Sequence, residues 1–574
     1  MRKWSFVLII ALMMSIISAA LAQRPTGVIS GRVMTEDGQP IINATISLVG
    51  TRPLRGGFGG RGAVVTDEEG NFHADGLDPM PYEIRVWAPG YIPAPNGKAS
   101  DGLDEFRQNY SYVGDSVMIT MIKGGVITGK VINSAGEPVV GVSVRAIRIR
   151  DDLGQPVARK RSMSGSARTD DRGVYRIYGL APGYYLASTV GNRSGFYGSP
   201  FDGKIDVYYP SSTREMAAEI AVRAGEEVQG VDIRYRGERG YAISGKITSQ
   251  PAAGSKPGEV SVVVRKAVTE AFVDSIFIPQ FADQGGYAIY GLPNGEYELI
   301  AQRDDRSGES SFLSVPKRAT INGRDAGGID LVLAPTASIA GNIVIEQNRT
   351  ESGKCESKRR YYVEEVVVKA IRDEPGEKLQ RSDVSFSVYG GQPVGTPDDQ
   401  GKFSIRRLRP GRYRLEAQLP DENWYVKGMT TTTNDAGRNG VTLKSGEEAS
   451  GLAIVIAGGS GGIKGKLVVE EGAKPPLRSI VHLIPAEIDA KDDLLRYAEA
   501  RVEIDGSFNF ANLSPGKYLF VTRKISEGGD DPVRPLAWDR IERVKLRKEA
   551  ESANMVVELK SCQRISDYVL RFAK

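Results

Sequence analysis

One phrase occurs five times in this chain of 574 residues, and it sets what the chain can fold into. Its clearest form spans 396–415, TPDDQGKFSIRRLRPGRYRL. It reads as a turn, a strand, a second turn and a second strand. Asp399-Gln400-Gly401 has turn chemistry, because Asp closes a local hydrogen bond and Gly accepts positive φ. Phe403 and Ile405 alternate with polar residues, the period of a half-buried strand. Arg409-Pro410-Gly411 turns the chain again, and Tyr413 and Leu415 alternate inward.

The copies align position by position. The first turn ends at Gly70, Gly173, Gly286, Gly401 and Gly506. An aromatic follows at Phe72, Tyr175, Tyr287, Phe403 and Phe508, then a leucine at Leu77, Leu180, Leu292, Leu408 and Leu513. The second turn is Pro-Gly or Pro-Asn-Gly in four copies and Pro79-Met80-Pro81 in the first. A tyrosine closes each: Tyr82, Tyr185, Tyr297, Tyr413, Tyr518. Upstream of every copy lies a short strand of the form Ile-x-Gly-x-apolar, centred on Gly31, Gly129, Gly245, Gly341 and Gly465. Alternating strands close the units, most cleanly at 231–235 and 329–333, with 555–559 as the last.

The opening glycines are 98, 116, 96 and 124 residues apart. That is domain size, well above a solenoid period. Short strands with regular turn signals predict an all-β chain, a tandem array of about five antiparallel β-sandwich domains. The expected boundaries are 23–123, 124–237, 238–335, 336–458 and 459–560, with a tail at 561–574. The segment 458–462, GGSGG, reads as the plainest hinge. In the tail, Ile565, Tyr568, Val569 and Phe572 have near-helical spacing, which suggests a short docking helix.

With those residues in view, the units resemble the carboxypeptidase regulatory-like domain, a transthyretin-like (prealbumin-like) sandwich. The phrases that carry the resemblance are Ile-x-Gly-x-Val, the early Gly38-Gln39-Pro40 and Gly136-Glu137-Pro138, and the Asp-x-x-Gly-x-aromatic to Leu-x-Pro-Gly-x-Tyr hairpin. Copies one and two match best; copies three to five keep the hairpin and lose the Gly-x-Pro element. The resemblance implies a fold and says little of function, because one fold hosts many functions. Collagen-adhesin B-type sandwiches are related and join Lys to Asn by an isopeptide bond. Lys130, Lys246 and Lys466 sit in opening strands but alternate with the apolar residues, so they are expected to face solvent without that bond.

Residues 1–22 read as a signal peptide. Arg2 and Lys3 precede an apolar core at 6–17, and Ala20-Leu21-Ala22 is a small-x-small cleavage site. An N-terminal membrane anchor is the other reading, though the run is short of the ~20 residues a span needs. The expected location is exported: periplasmic, cell-surface or extracellular. No later stretch is apolar enough to span a bilayer. Removing Arg2 and Lys3 takes the formal charge from +4 to +2, which argues against a nucleic-acid partner.

Little in the chain points to catalysis. Its two histidines, His73 and His482, lack metal-ligand spacing, and His73 should face outward next to Phe72. No catalytic site, cofactor or metal is expected. The acidic turns at 67–70, 170–173 and 398–401 lack the ligand pattern of a calcium loop. The glycine-rich run 55–62 lacks the Lys-Ser/Thr of a P-loop and reads as an inter-strand loop. Basic residues at Arg145, Arg148 and 159–161 read as a solvated face. Cys355 and Cys562 could pair in an oxidising compartment and join domain four to the tail; two free thiols or an interchain bond are the alternatives.

Two function classes follow. One is an exported, non-enzymatic spacer, adhesion or protein-interaction module of the cell envelope, with an envelope protein or polysaccharide as partner. The other is carbohydrate binding, with sugars stacking on Trp87, Tyr91, Tyr208, Tyr209, Trp424 and Tyr425. Exposed coplanar rings favour the second, buried rings the first. Phe196-Tyr197 belongs to the same long loop as Tyr208 and Tyr209. An uncharacterised hydrolase, the third reading, requires a deep acidic pocket in one domain.

Overall fold

The computed structural model describes residues 27–52, 63–94, 110–154, 157, 163–190, 201, 203–249, 258–267, 272–281, 284–304, 311–346, 355, 362–374, 394–431, 436–468, 479–503, 505–524 and 535–571. Residues 1–22, the glycine-rich run, 159–161, Phe196-Tyr197 and 358–360 lie outside the described residues. Packing divides the chain into two units, 1–87 with 109–120, and 88–108 with 121–574. The fold is all-β, a tandem array of β-sandwiches built from many small sheets. No helix among the described residues is long and apolar enough to cross a membrane.

Each copy of the phrase does the same work, and it is not a hairpin. Its two strands do not pair with each other, and in every copy but the third they lie in different sheets. In the fourth copy Lys402–Leu408 pairs with the opening strand Ala337–Glu346, while Gly411–Gln418 pairs with Val367–Arg372. The second turn is therefore an arch between the layers. This is why Phe403, Ile405, Leu408, Tyr413 and Leu415 all reach one core. In all five copies the tyrosine hydroxyl donates to the carbonyl four residues back, across the arch. The acceptors are Asp78, Ala181, Pro293, Arg409 and Ser514 at 2.5–2.9 Å. The bond satisfies a buried phenol, as burial of a tyrosine demands.

The first turn is held by the acid three residues before the glycine. Asp67, Asp170 and Asp398 each accept two backbone N–H bonds. The residue in the fourth copy is thus Asp398, not Asp399. Pro40 and Pro138 pack against Gly70 and Gly173, which ties the Gly-x-Pro element of copies one and two to this turn.

The sheets are antiparallel except at one recurring place. The closing strand runs parallel to the opening strand, as in Glu448–Gly458 beside Ala337–Glu346 and Arg564–Arg571 beside Gly461–Val468. Here the opening glycine matters. A Cβ on Gly129, Gly245, Gly341 or Gly465 would collide with the carbonyl of Val231, Ile329, Leu452 or Tyr568 on the closing strand. Tyr175 and Tyr287 donate their hydroxyls to two of those same carbonyls, Val231 and Ile329, at 2.6 Å. Phe403 and Phe508 instead lay the ring edge against the glycine.

The third sandwich departs from two separate layers. Ser311–Ser314 pairs with both Gly295–Asp304 and Leu331–Pro335, so its sheet of eight strands wraps continuously round the core. In the fifth, Ser479–Pro485 is buried on both faces. Val481 and Leu483 face the core, and Ile484 packs under a helix, Arg540–Ala553, through Leu546 and Ala550. Asp539 caps that helix by accepting the N–H bonds of Ile541 and Glu542. The tail is not a docking helix. Arg564–Arg571 is the closing strand of this sandwich, with Leu570 in the core.

Gly129→Ala should lower the stability of the second sandwich by about 3 kcal/mol, because the closing carbonyl has nowhere to go. Lys130→Ala next to it should change little. Tyr185→Phe should cost about 1 kcal/mol by removing the bond over the arch. Scanning calorimetry with hydrogen exchange across 125–235 reads all three.

Candidate functional site

Among the described residues, a dense set of side-chain interactions joins the fourth sandwich to the fifth. It replaces the hinge expected at 458–462. Glu448–Gly458 and Gly461–Val468 flank only two residues, Gly459 and Ser460, and Ser460 is fully buried. Both donate their N–H to the Asn423 carbonyl, at 2.9 and 3.1 Å, and the Ser460 hydroxyl bonds the Glu422 carbonyl. The glycines serve close packing here: a Cβ on Gly459, Gly461 or Gly462 would meet Ser561, Leu559 or Arg564.

Two side chains of the fifth sandwich hold this bend from the other side. Arg564 donates to the carbonyls of Ser460 (2.6 Å) and Glu422 (2.7 Å) and to Asn423 Oδ1 (3.0 Å). Asn512 Nδ2 donates to the carbonyls of Asp421 and Trp424, both at 2.7 Å. Asn512 has φ +56 and sits at a bulge that every copy shows just before the leucine. Gly76, Gly179, Gly291 and Arg407 hold the same place, each with positive φ. Asn tolerates that conformation and adds an amide that glycine lacks.

A chain of charges runs beside the bend. Arg414 pairs with Asp373 at 3.0 Å inside the fourth sandwich, both buried. The same guanidinium donates to the Arg438 carbonyl. Arg438 pairs with Asp492 (3.1 Å) of the fifth sandwich, and Asp492 also meets Arg543 (3.3 Å) on the long helix. Leu495 packs against the fourth core. Finally, Cys355 and Cys562 form a disulfide with Cα atoms 5.4 Å apart, bridging 207 residues of sequence. Cys562 N–H donates to the Gly459 carbonyl, so the bridge lands on the bend itself.

The six aromatics singled out for sugar stacking are placed differently from one another. Trp87 is 61% exposed, in line across its sheet with Thr45 and exposed Val65. Tyr91 is half-buried in a short strand, Tyr91–Pro93. Tyr208 is half-buried with its backbone bridged to Ser188 and Ser212, and Tyr209 packs against the second core. Trp424 packs against the fourth core. Burial raises the Tyr425 phenol above its usual range, with Lys427 opposing and Glu346 adding. His73 is exposed; His482 is buried, with Nδ1 3.3 Å from Glu499. Lys130, Lys246 and Lys466 face solvent. Sequence reasoning missed Asn512, Arg564 and the Arg438–Asp492 pair. Only Asn512 carried a signal, as a polar residue where three copies have glycine.

Residues 28–99 match the carboxypeptidase regulatory-like domain family. No curated protein sequence matches the chain. Solved structures similar to it include the Bacillus anthracis TIE protein, at 12% identity and TM-score 0.14, covering 78% of each chain. The minor pilin of Streptococcus agalactiae is similar at 12% identity and TM-score 0.19, covering 40% of this chain and 100% of the pilin. The major pilin of Bacillus cereus is similar at 11% identity and TM-score 0.13, covering 58% of this chain and 100% of the pilin.

Asn512→Gly keeps the backbone conformation and deletes only the two amide bonds. It should weaken the contact by about 2 kcal/mol, since each lost bond leaves a carbonyl without that donor. Faster hydrogen exchange at Gly459 and Ser460, with the cores of both sandwiches unchanged, is the expected readout.

Proposed function

We propose that this chain is an exported, non-enzymatic multidomain protein that serves the cell envelope as a spacer, adhesion or protein-interaction module. The observation that carries the reading is the covalent and hydrogen-bonded lock between the fourth and fifth sandwiches. A hinge would let successive domains move freely, whereas here the bend is buried, bonded from both sides and stapled by Cys355–Cys562. Interdomain motion is the default when contacts are few. A chain that suppresses it is suited to hold a distance or present a surface. The disulfide also supports export, because such bonds persist in oxidising compartments. Sugar stacking retains one well-exposed candidate, Trp87.

The test is thiol labelling of the chain taken from its native compartment, paired with small-angle scattering. No maleimide should react in denaturant, and two should react after reduction. The Cys355→Ser, Cys562→Ser, Asn512→Gly triple variant should scatter as a broader ensemble than the parent. Two reactive thiols without reduction would contradict export, and identical scattering would contradict the lock. A glycan array probed with the parent and Trp87→Ala separates the sugar reading: a saturable hit lost in the variant would favour it.

A further inference from the structure

The five copies differ in what covers the closing strand. In three of them a further strand of the same chain pairs along its free edge. Tyr91–Pro93 pairs with 121–123, Ser311–Ser314 with 333–335, and Trp424–Thr430 with 453–458. In the second copy a loop does it: Arg234 N–H donates to the Pro210 carbonyl (2.8 Å), and the Ser211 hydroxyl donates to the Arg234 carbonyl (3.0 Å). In the fifth copy the chain after the second phrase strand instead builds the helix Arg540–Ala553, which packs on the other sheet. Among the described residues, Arg564–Arg571 is the outermost strand of a sheet of three and has no partner on its far side.

The backbone groups facing that edge follow from the register. Ile233 pairs with Val131, and Leu570 with Leu467, at equivalent repeat positions. Arg571 thus corresponds to Arg234, whose N–H and C=O both point away from the opening strand. Successive residues of a parallel strand turn their backbone groups to alternate edges. Val569 and Arg571 therefore offer their N–H and C=O outward. Such a row is a template for strand addition.

We propose that Tyr568–Arg571 is a docking edge for an extended segment of another protein, added as a further strand of the fifth sandwich. The occupant's chemistry is read from the strands that fill this place elsewhere in the chain, YIP, SFLS and WYVKGMT, which are rich in aromatic and branched apolar residues. Lys464 and Lys466 on the neighbouring strand and Arg571 on the edge strand are exposed, against Asp567 and against Asp505 beside Lys466, so the surface stays net basic and an acidic flank fits. A second copy of the same strand fits badly: paired antiparallel over its length it sets Arg564 opposite Arg571, like charges directly opposed.

The probe is a capped peptide of residues 420–430, PDENWYVKGMT, which contains the strand filling this place in the fourth sandwich and an acidic lead. Titrated calorimetrically into the full chain, it should bind saturably at one site. Val569→Pro removes one outward N–H at an exposed position and should weaken binding at least tenfold with the melting temperature kept. Peptide N-methylated at alternate amides should lose binding to the parent, which decides the matter if the proline variant does not fold. No saturable binding at millimolar peptide, or equal binding by methylated peptide, overturns the proposal. So does a concentration-dependent dimer in sedimentation that Val569→Pro abolishes, which would assign the edge to self-pairing.

Discussion

Everything in this chain rests on one close approach, the closing strand's carbonyl over the opening strand's glycine. Any Cβ at Gly129, Gly245 or Gly465 would strike that oxygen. The approach lets the two ends of each domain run side by side in parallel. It also brings the aromatic of the phrase over the seam, where a tyrosine bonds the carbonyl and a phenylalanine covers the glycine. The hydroxyl bonds the carbonyl in the second and third copies, and in the fourth and fifth the phenylalanine ring edge lies against the glycine instead. A glycine inside a strand weakens it by itself. Here the loss is offset because the gap is what closes the sandwich.

Much of this was legible from the chain, because period and turn chemistry are local. Phe72, Tyr175, Leu180 and Tyr185 are buried as their alternation requires, and His73 is exposed as its place beside Phe72 requires. What was misread depends on partners distant in sequence. The run at 458–462 has the composition of a hinge, yet its glycines exist to admit Leu559, Ser561 and Arg564 from a hundred residues away. The tail has helical spacing at Ile565, Tyr568 and Val569 because a bulge at Asp567, φ +56, inserts one residue into a strand and breaks its period of two. The two strands of the phrase read as a hairpin in sequence because an arch and a hairpin share the same Pro-Gly turn chemistry. Only pairing with a third strand tells them apart.

The candidate site was less legible than the fold. Cys355 and Cys562 were visible as a pair with open alternatives, but nothing local places their Cα atoms within disulfide reach. Arg564 shows no pattern at all: it works through its reach to three acceptors at Ser460, Glu422 and Asn423, none of them near it in sequence. Asn512 is intermediate. Its left-handed backbone belongs to the repeat, while its amide belongs to the junction. One residue thus serves the internal geometry of a domain and the angle between two.

The other joints in the second unit show how this one differs. The second and third sandwiches meet through Gly240 N–H to the Gly203 carbonyl and Ile205 N–H to the Glu238 carbonyl. The third and fourth meet through Gly446 N–H and the Ser445 hydroxyl, both donating to the Pro335 carbonyl. These bonds tie turn to turn through backbone groups and one serine hydroxyl. At the last joint side chains take over, and side chains are what mutation can add without disturbing a sandwich. Among the described residues the same region carries a helix and no covering strand. That helix buries the outer face of one sheet and supplies Arg543 to the charge chain. The fifth sandwich is therefore fixed to its neighbour by side chains on one side while its closing strand has, among the described residues, no partner on the other, the arrangement expected of a domain that presents an edge from a braced base.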